Sequence, residues 1–247
     1  LYAIWIFCYS KIYPNSLPVP KKIINNNLDI NHIFKLIIPP VLLIFIVLGS
    51  ILLGVATPTE SAALGATGSF FIAVFQKKIN FEGLKEVSTE SLKITSMVFF
   101  ILIGASIFSL VFRGFGGDRL VENFLTSIPG GPIASLVLVM VTIFIMGFFL
   151  DFLEIIFVII PIVAPTLISM GFDPVWLGIV IAVNIQTSFL TPPFGFALFY
   201  FRGVATSIIK TSEIYKGVVP FIILQIFLMI ILFKFPLLVK WLPESIN

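Results

Sequence analysis

Two short segments, each inside a long apolar run, have residues suited to binding ions within a membrane. Residues 57–64 read TPTESAAL and residues 191–198 read TPPFGFAL, so four of eight positions are identical. Proline removes a backbone donor and disfavours helix at the residue before it, so each Thr-Pro step predicts an unwound segment. Oxygens freed there could replace the water around Na⁺, and amides that begin the next helix could hold a carboxylate.

The repeated break predicts where the ion and the substrate bind. Corresponding interruptions in two halves of a chain are typical of the binding site of a secondary transporter. The alternative is a pair of ordinary proline kinks. We expect Na⁺ near four residues, bound through side-chain or backbone oxygens: Thr57, Thr59, Thr191 and Gly195. The same segments add further candidate binding residues: Pro58, Glu60, Pro192 and Pro193.

Two acids interrupt the apolar run from residue 132 to residue 170. Asp151 and Glu154 are spaced i, i+3 and therefore share one face of a helix. An acid at the bilayer centre costs about 2.5–3.5 kcal/mol on insertion scales, so two in one lipid-facing span are unfavourable. The run is about twice the length of one span. We therefore predict two arms with the acids near a re-entrant tip, or an interfacial loop with solvated acids as the alternative.

A group of polar residues precedes the second break. Asn184 stands i, i+3 from Thr187 and i, i+4 from Ser188, with Gln186 between them. Hydrogen bonds between helices would explain these residues, although such bonds contribute only about 0.6 kcal/mol on average. Their position beside the break favours a polar cavity that belongs to the binding site.

The composition indicates what must position these residues. The chain is 59% hydrophobic and only 11% charged, with 28 Phe, whereas soluble chains are about 25% charged. Ile94–Val111 and Ile133–Leu150 lack charge over a length that crosses the bilayer as a helix. No alternating β pattern is present. We predict an all-α membrane protein, a polytopic helical bundle with broken helices and a re-entrant hairpin. The net charge of +3 requires no nucleic-acid partner. The single Cys, Cys8, rules out an internal disulfide and predicts no thiol metal site.

Three regions are predicted along the chain. Residues 1–35 are the end of a preceding membrane helix and a polar linker, so the chain reads as a fragment. Residues 36–112 are the end of a first repeat, with a broken helix, an interfacial amphipathic segment over 76–93 and a following span. A second repeat covers 113–247, and its parts are a hairpin near 135–170, a broken helix over 174–205, a span over 217–238 and a polar tail. The linkers 10–35 and 77–93 carry four Lys each, so the positive-inside rule gives no orientation if the chain crosses once between them.

Several of these motifs resemble the large permease subunit of tripartite ATP-independent periplasmic (TRAP) transporters, the DctM-like family. They are GVATPTESAALG from Gly54, FRGFGGD from Phe112, GFFLDFLEI from Gly147 and NIQTSFLTPPFGFALF from Asn184. The first of them adds Gly54 to the candidate binding residues. The family's first re-entrant hairpin would precede residue 1.

The resemblance implies an elevator-type, inverted-repeat Na⁺ symporter in the bacterial inner membrane. It would be a multi-pass permease importing organic acids, with Na⁺ as coupling ion and no other cofactor. Its partners would be a small membrane subunit, a periplasmic solute-binding protein and the lipid bilayer.

Three other functions compete with this interpretation. One is another elevator-type dicarboxylate/Na⁺ symporter, and one is a membrane scaffold that transports nothing. The third is an intramembrane protease. Aspartyl intramembrane proteases use Gly-x-Gly-Asp, whereas Asp118 follows Phe-Gly-Gly, and a single His cannot supply the His pair of a zinc protease. We therefore expect that the chain is not an enzyme.

Overall fold

A computed structural model describes residues 1–13, 30–192, 195, 197–198, 201–202 and 210–246. These residues are mostly helical and include no strand, which confirms the all-α prediction. Three helices are long and apolar enough to cross a membrane: Phe81–Gly114, Phe152–Ser169 and Thr211–Lys234. Shorter apolar helices accompany them over Ile37–Leu52, Gly131–Met146 and Pro174–Leu190.

The described chain forms two compact units, one of Leu1–Leu92 with Pro243–Asn247 and one of Lys93–Leu242. The first unit contains α1 (Tyr2–Ile12), α2 (Ile30–Leu52) and α3 (Pro58–Phe75). The three predicted regions, with boundaries at residues 35 and 112, stay a prediction, because compact packing does not define a sequence repeat.

Helices α2 and α3 form an antiparallel hairpin. The Ser50 and Ser61 hydroxyl oxygens lie 2.8 Å apart, and further from the turn Gly65 approaches Val47 while Gly68 approaches Leu43. In these contacts the residue number in α2 falls as the residue number in α3 rises, so the two helices run in opposite directions. The Thr-Pro break therefore turns the chain back, and the first residue of α2 lies at the same end of the helix pair as the last residue of α3. The single crossing considered from the sequence is not what the structure has.

Helix α4 (Phe81–Gly114) is a single helix of 34 residues. Its length is about 51 Å, which exceeds the roughly 30 Å of hydrocarbon. Residues 81–93 of the segment expected to be an interfacial helix over 76–93 are therefore the first turns of α4 and not a helix apart from the span, and their position at the interface stays a prediction. The helix continues because no proline interrupts residues 81–114.

The second unit contains the predicted hairpin. Its first arm is α6 (Gly131–Met146), and its second arm consists of α7 (Phe152–Glu154), a π-helix (Ile155–Ile159) and α8 (Ile160–Ser169). Helix α5 (Gly117–Thr126) contacts both arms. The arms pack on α9 (Pro174–Leu190) around a core that includes Leu136, Ile143, Ile155, Leu167 and Val180.

Helix α9 also packs along α10 (Thr211–Lys234). The indole Nε1 of Trp176 donates to the Leu232 carbonyl over 2.9 Å, and the Asp173 carboxylate caps α9 by accepting from the Trp176 amide. A final helix, α11 (Leu237–Ile246), follows α10 closely. Lys240 of α11 forms an ion pair with Asp173, Nζ to Oδ2 2.7 Å. The start of α9, the end of α10 and α11 are thus held together.

This ion pair makes a pH-dependent contribution to stability. Lys240 and the Trp176 amide hold the pKa of Asp173 below its usual value. A lowered carboxyl pKa contributes stability that is present above the unfolded-state pKa, about 3.9, and is lost as pH falls through the folded-state pKa.

We predict that Asp173→Asn, which keeps a capping side chain, lowers the unfolding temperature at pH 7. The difference from the wild-type protein should shrink as the pH falls below about 4. It should also shrink at high salt, because both side chains are partly exposed. Thermal unfolding in detergent across pH measures this. A difference that is the same at every pH would contradict it.

Candidate ion and substrate site

The first break is a turn whose predicted binding residues stabilise the start of α3. Gly54 has a φ of +66°, a left-handed conformation that suits glycine. Thr57 is the N-cap and Pro58 occupies the first turn. The Glu60 carboxylate accepts from the Thr57 amide (2.7 Å) and hydroxyl (2.8 Å), and the Thr57 hydroxyl accepts from the Glu60 amide. This capping box stabilises the helix.

The capping box limits what this break can bind. Glu60 already places a negative charge at the N-terminus of α3, where the helix dipole favours one. An incoming carboxylate would have to displace it. Thr59 is exposed beside it and takes no part in the box. The Ser50–Ser61 contact below the turn was missed by sequence reasoning, although two serines in an apolar run were a signal.

The tip of the second-unit hairpin carries the two acids. Asp151 is the N-cap of the second arm, and its carboxylate accepts from the Phe152 amide over 2.8 Å. Glu154 lies in the first turn that follows, and both side chains are partly exposed. The turn between the two arms lies near the middle of the apolar run 132–170, as the length of that run predicted. Asp151 therefore lies at the tip, and Glu154 lies in the first turn of the helix that follows, so residues 132–170 are not one continuous helix.

A π-helix begins directly after Glu154, at Ile155. Pro161 has no N–H to donate to the Phe157 carbonyl, so the regular series of α-helical hydrogen bonds is interrupted here. Single π turns inside α-helices often mark functional sites. The sequence analysis did not predict this irregularity.

The polar face of α9 is buried against α6. Asn184 donates from Nδ2 to the Met140 carbonyl over 2.8 Å, and the hydroxyls of Thr187 and Ser188 donate to carbonyls of their own helix. These three side chains are almost fully buried, whereas Gln186 is exposed and lies on another face. Asn184 therefore joins two helices, as the alternative interpretation of this face expected.

The hairpin tip lies directly against the polar end of α9. A Cβ placed on Gly147 would overlap the Ser188 Oγ and lie 2.8 Å from the Ser188 Cβ. The Phe152 and Phe189 rings face each other edge-on, with centroids 6.1 Å apart. Only glycine allows the tip to come this close to α9.

Helix α9 ends at Leu190, as the Thr-Pro-Pro sequence predicted. Thr191 has extended backbone, and its amide donates to the Ser188 carbonyl. Pro192 lies in the turn that follows, whereas Pro193 lies outside the described residues. Gly195 is buried, and a Cβ there would lie 2.8 Å from the Phe189 carbonyl oxygen and 3.0 Å from that of Thr191. The Phe189 and Thr191 carbonyl oxygens therefore both pack closely against Gly195.

The structure brings together one part of the predicted site. In the second unit, the hairpin tip lies next to the polar face of α9 and to the broken end of that helix. The break at residues 54–60 belongs to the first unit. Within the part of the chain that the structure describes, no group of three or more His, Cys, Asp or Glu could hold a metal ion.

The close contact at Gly147 generates a prediction. Gly147 has an ordinary helical φ of −65°, so Ala is tolerated by the backbone and only the contact with Ser188 opposes it. Gly147→Ala should destabilise the protein by about 1–3 kcal/mol, as overpacking does. Adding Ser188→Gly should recover part of the loss. The measurement is a double-mutant cycle of unfolding in detergent.

Gly178→Ala is the matched control, because a Cβ at Gly178 meets nothing within 4 Å. It should be neutral or stabilising, since Ala favours helix over Gly by about 1 kcal/mol. If Gly147→Ala lowered the free energy of unfolding no more than Gly178→Ala does, the close contact between Gly147 and Ser188 would be contradicted.

Comparison with known proteins identifies the chain's relatives. The family described as "Tripartite ATP-independent periplasmic transporter, DctM component" matches residues 1–238. The C4-dicarboxylate TRAP transporter large permease DctM of Vibrio cholerae is 31% identical over 223 residues, which are 82% of this chain and 49% of that protein. The DctM protein of Pseudomonas aeruginosa is 30% identical over 82% of this chain and 47% of its own length.

A third relative differs in the substrate that its name gives. The sialic acid TRAP transporter large permease SiaM of Vibrio cholerae is 26% identical over 81% of this chain and 46% of its own length. The chain spans about half the length of the curated relatives it matches. The family is one of transporter permeases, which supports the expectation that the chain is not an enzyme. The chain is a multi-pass membrane protein and belongs to the DctM family of TRAP transporter large permeases.

Proposed function

We propose that the complete protein is the inner-membrane permease subunit of a Na⁺-coupled TRAP transporter that imports organic acids. A periplasmic solute-binding protein delivers the substrate, and a small membrane subunit completes the transporter. The permease works as an elevator-type symporter of two inverted repeats, with Na⁺ as its coupling ion.

The observation that carries the proposal is the broken end of α9 beside the hairpin tip. The carbonyl oxygens of Phe189 and Thr191 both lie beside Gly195 at this broken end, and the tip contacts the same end of α9. Backbone oxygens of interrupted helices bind coupling ions in secondary transporters. Such a break is tolerated at membrane depth only where protein or a water-filled cavity covers it.

Membership of the family and the names of relatives support the substrate class and the partners. Three of the relatives are named for C4-dicarboxylate, sialic acid and 2,3-diketo-L-gulonate, each of which carries a carboxylate, and one is named for isethionate, which carries a sulfonate instead. We propose that this protein also takes a carboxylate, held by amides at a half-helix N-terminus. Asp151 and Glu154 would line the cavity at the tip.

The decisive experiment measures uptake of labelled carboxylates by the complete complex in proteoliposomes. We expect uptake to require an inward Na⁺ gradient and the binding protein, and to proceed without ATP. An equal K⁺ gradient is the control. Uptake that followed ATP, or a proton gradient alone, would show that the coupling ion is wrong.

A second prediction tests the break itself. Pro192→Ala with Pro193→Ala restores two backbone donors and raises helix propensity by about 3 kcal/mol per residue. Helix α9 should then continue past Thr191, so that the carbonyls bond within the helix. We expect the variant to insert and fold but to lose Na⁺-driven uptake.

Pro39→Ala is the matched control, since Pro39 lies inside α2 with helix on both sides and belongs to the first unit, whereas the break at Thr191 belongs to the second. It should keep Na⁺-driven uptake. If the double variant also transported normally, the break would be a structural kink and not an ion site.

A further inference from the structure

Helix α11 has one face that belongs to the protein core. Val239 is 7% exposed and is part of the buried core of the second unit. Its neighbour Lys240 forms the ion pair with Asp173. The sequence was expected to end in a polar tail, so this docked helix was not predicted.

The other face of α11 is apolar and exposed. Leu237 is 74% exposed, Leu238 56% and Trp241 68%. At about 100° per residue these three side chains fall within an arc of about 100°, opposite Val239 and Lys240. The core contact and the ion pair fix the rotation of α11, and therefore decide which residues point outward.

The position of α11 follows from the end of α10. Helix α10 is long and apolar enough to cross a membrane and ends at Lys234. The backbone departs from helix at Phe235, and α11 starts at Leu237. Lys240 reaches back to Asp173, which lies one residue before α9. Helix α11 therefore stays beside the ends of α9 and α10 and does not extend away from them.

We infer that α11 lies in the interface of the bilayer, with Leu237, Leu238 and Trp241 inserted into the boundary between lipid headgroups and acyl chains. A helix with one apolar face binds there with that face about 5–10 Å deep. Tryptophan prefers this level because its ring is apolar and its N–H is polar. The occupant of this face is lipid, and the inference does not depend on the proposed transport activity.

In this arrangement the ion pair fixes the rotation of α11 about its own axis. Asp173 and Lys240 lie on the protein side, so they hold the apolar residues towards lipid. Lys234, exposed at the end of α10, adds a positive charge at the level where anionic headgroups attract basic residues.

Spin labels test the inference in the full chain, reconstituted in vesicles of phosphatidylethanolamine and phosphatidylglycerol. Cys8 is replaced by Ser, because it is an exposed free cysteine, and single labels are attached at Leu237→Cys, Trp241→Cys and Ile223→Cys. Oxygen concentrates in hydrocarbon, whereas a nickel chelate stays in water. We expect labels at positions 237 and 241 to collide more with oxygen than with nickel, at a shallower depth than position 223 in the middle of α10.

Two outcomes would overturn the inference. Labels that collide mainly with the nickel chelate would show that the face is in water. Labels that neither reagent reaches would show that protein covers it, either a partner subunit or another part of the chain.

A second measurement avoids labels on α11. The fluorescence that is lost in Trp241→Phe reports Trp241 alone in the otherwise unchanged protein. We expect lipids brominated near the headgroup to quench this signal more than lipids brominated near the chain ends. A signal that neither lipid quenches would contradict insertion into the bilayer.

Discussion

Hydrocarbon offers no hydrogen bonds, so each peptide group at a helix break must find its partner inside the protein. At the first break the Ser50 carbonyl accepts from the amides of both Val55 and Ala56, and the Glu60 carboxylate accepts from the Thr57 amide. At the second break the amide and hydroxyl of Thr191 both donate to the last turn of α9. At both breaks, these polar groups are therefore satisfied by neighbouring residues of the protein.

Small residues determine how closely the broken elements approach. Gly147 lets the hairpin tip contact Ser188, and Gly65 and Gly68 let α3 approach α2. Association of helices in lipid depends on packing and hydrogen bonds. An apolar side chain gains no hydrophobic free energy when it moves from acyl chains into a helix interface. Asn184, which donates from α9 to a carbonyl of α6, adds such a hydrogen bond. The tip that carries Asp151 is therefore held at the broken end of α9.

The opposite end of α9 is held by a different set of interactions. Trp176 bonds to α10, and Asp173 caps α9 while it pairs with Lys240 of α11. Packing between α9 and α10 continues towards the break, where Leu190 packs against the cluster of Leu198, Ile214 and Val218. Helix α9 is thus fixed at its start by an aromatic and ionic anchor, and at its end by the hairpin tip.

The sequence by itself determined the all-α membrane class, the family, the end of α9 at Thr191 and the turn beside Asp151. Each of these depends on local chemistry or on length: proline removes donors, and a run of about 39 apolar residues is too long for one span. Tertiary structure decided what the local pattern left open. It turned α2 and α3 into an antiparallel pair, placed Asn184 and Ser188 in a helix interface, and docked the C-terminal segment as a helix. Those outcomes depend on which distant residues meet, such as Ser50 with Ser61, Gly147 with Ser188 and Asp173 with Lys240, and periodicity along one chain does not specify such pairs.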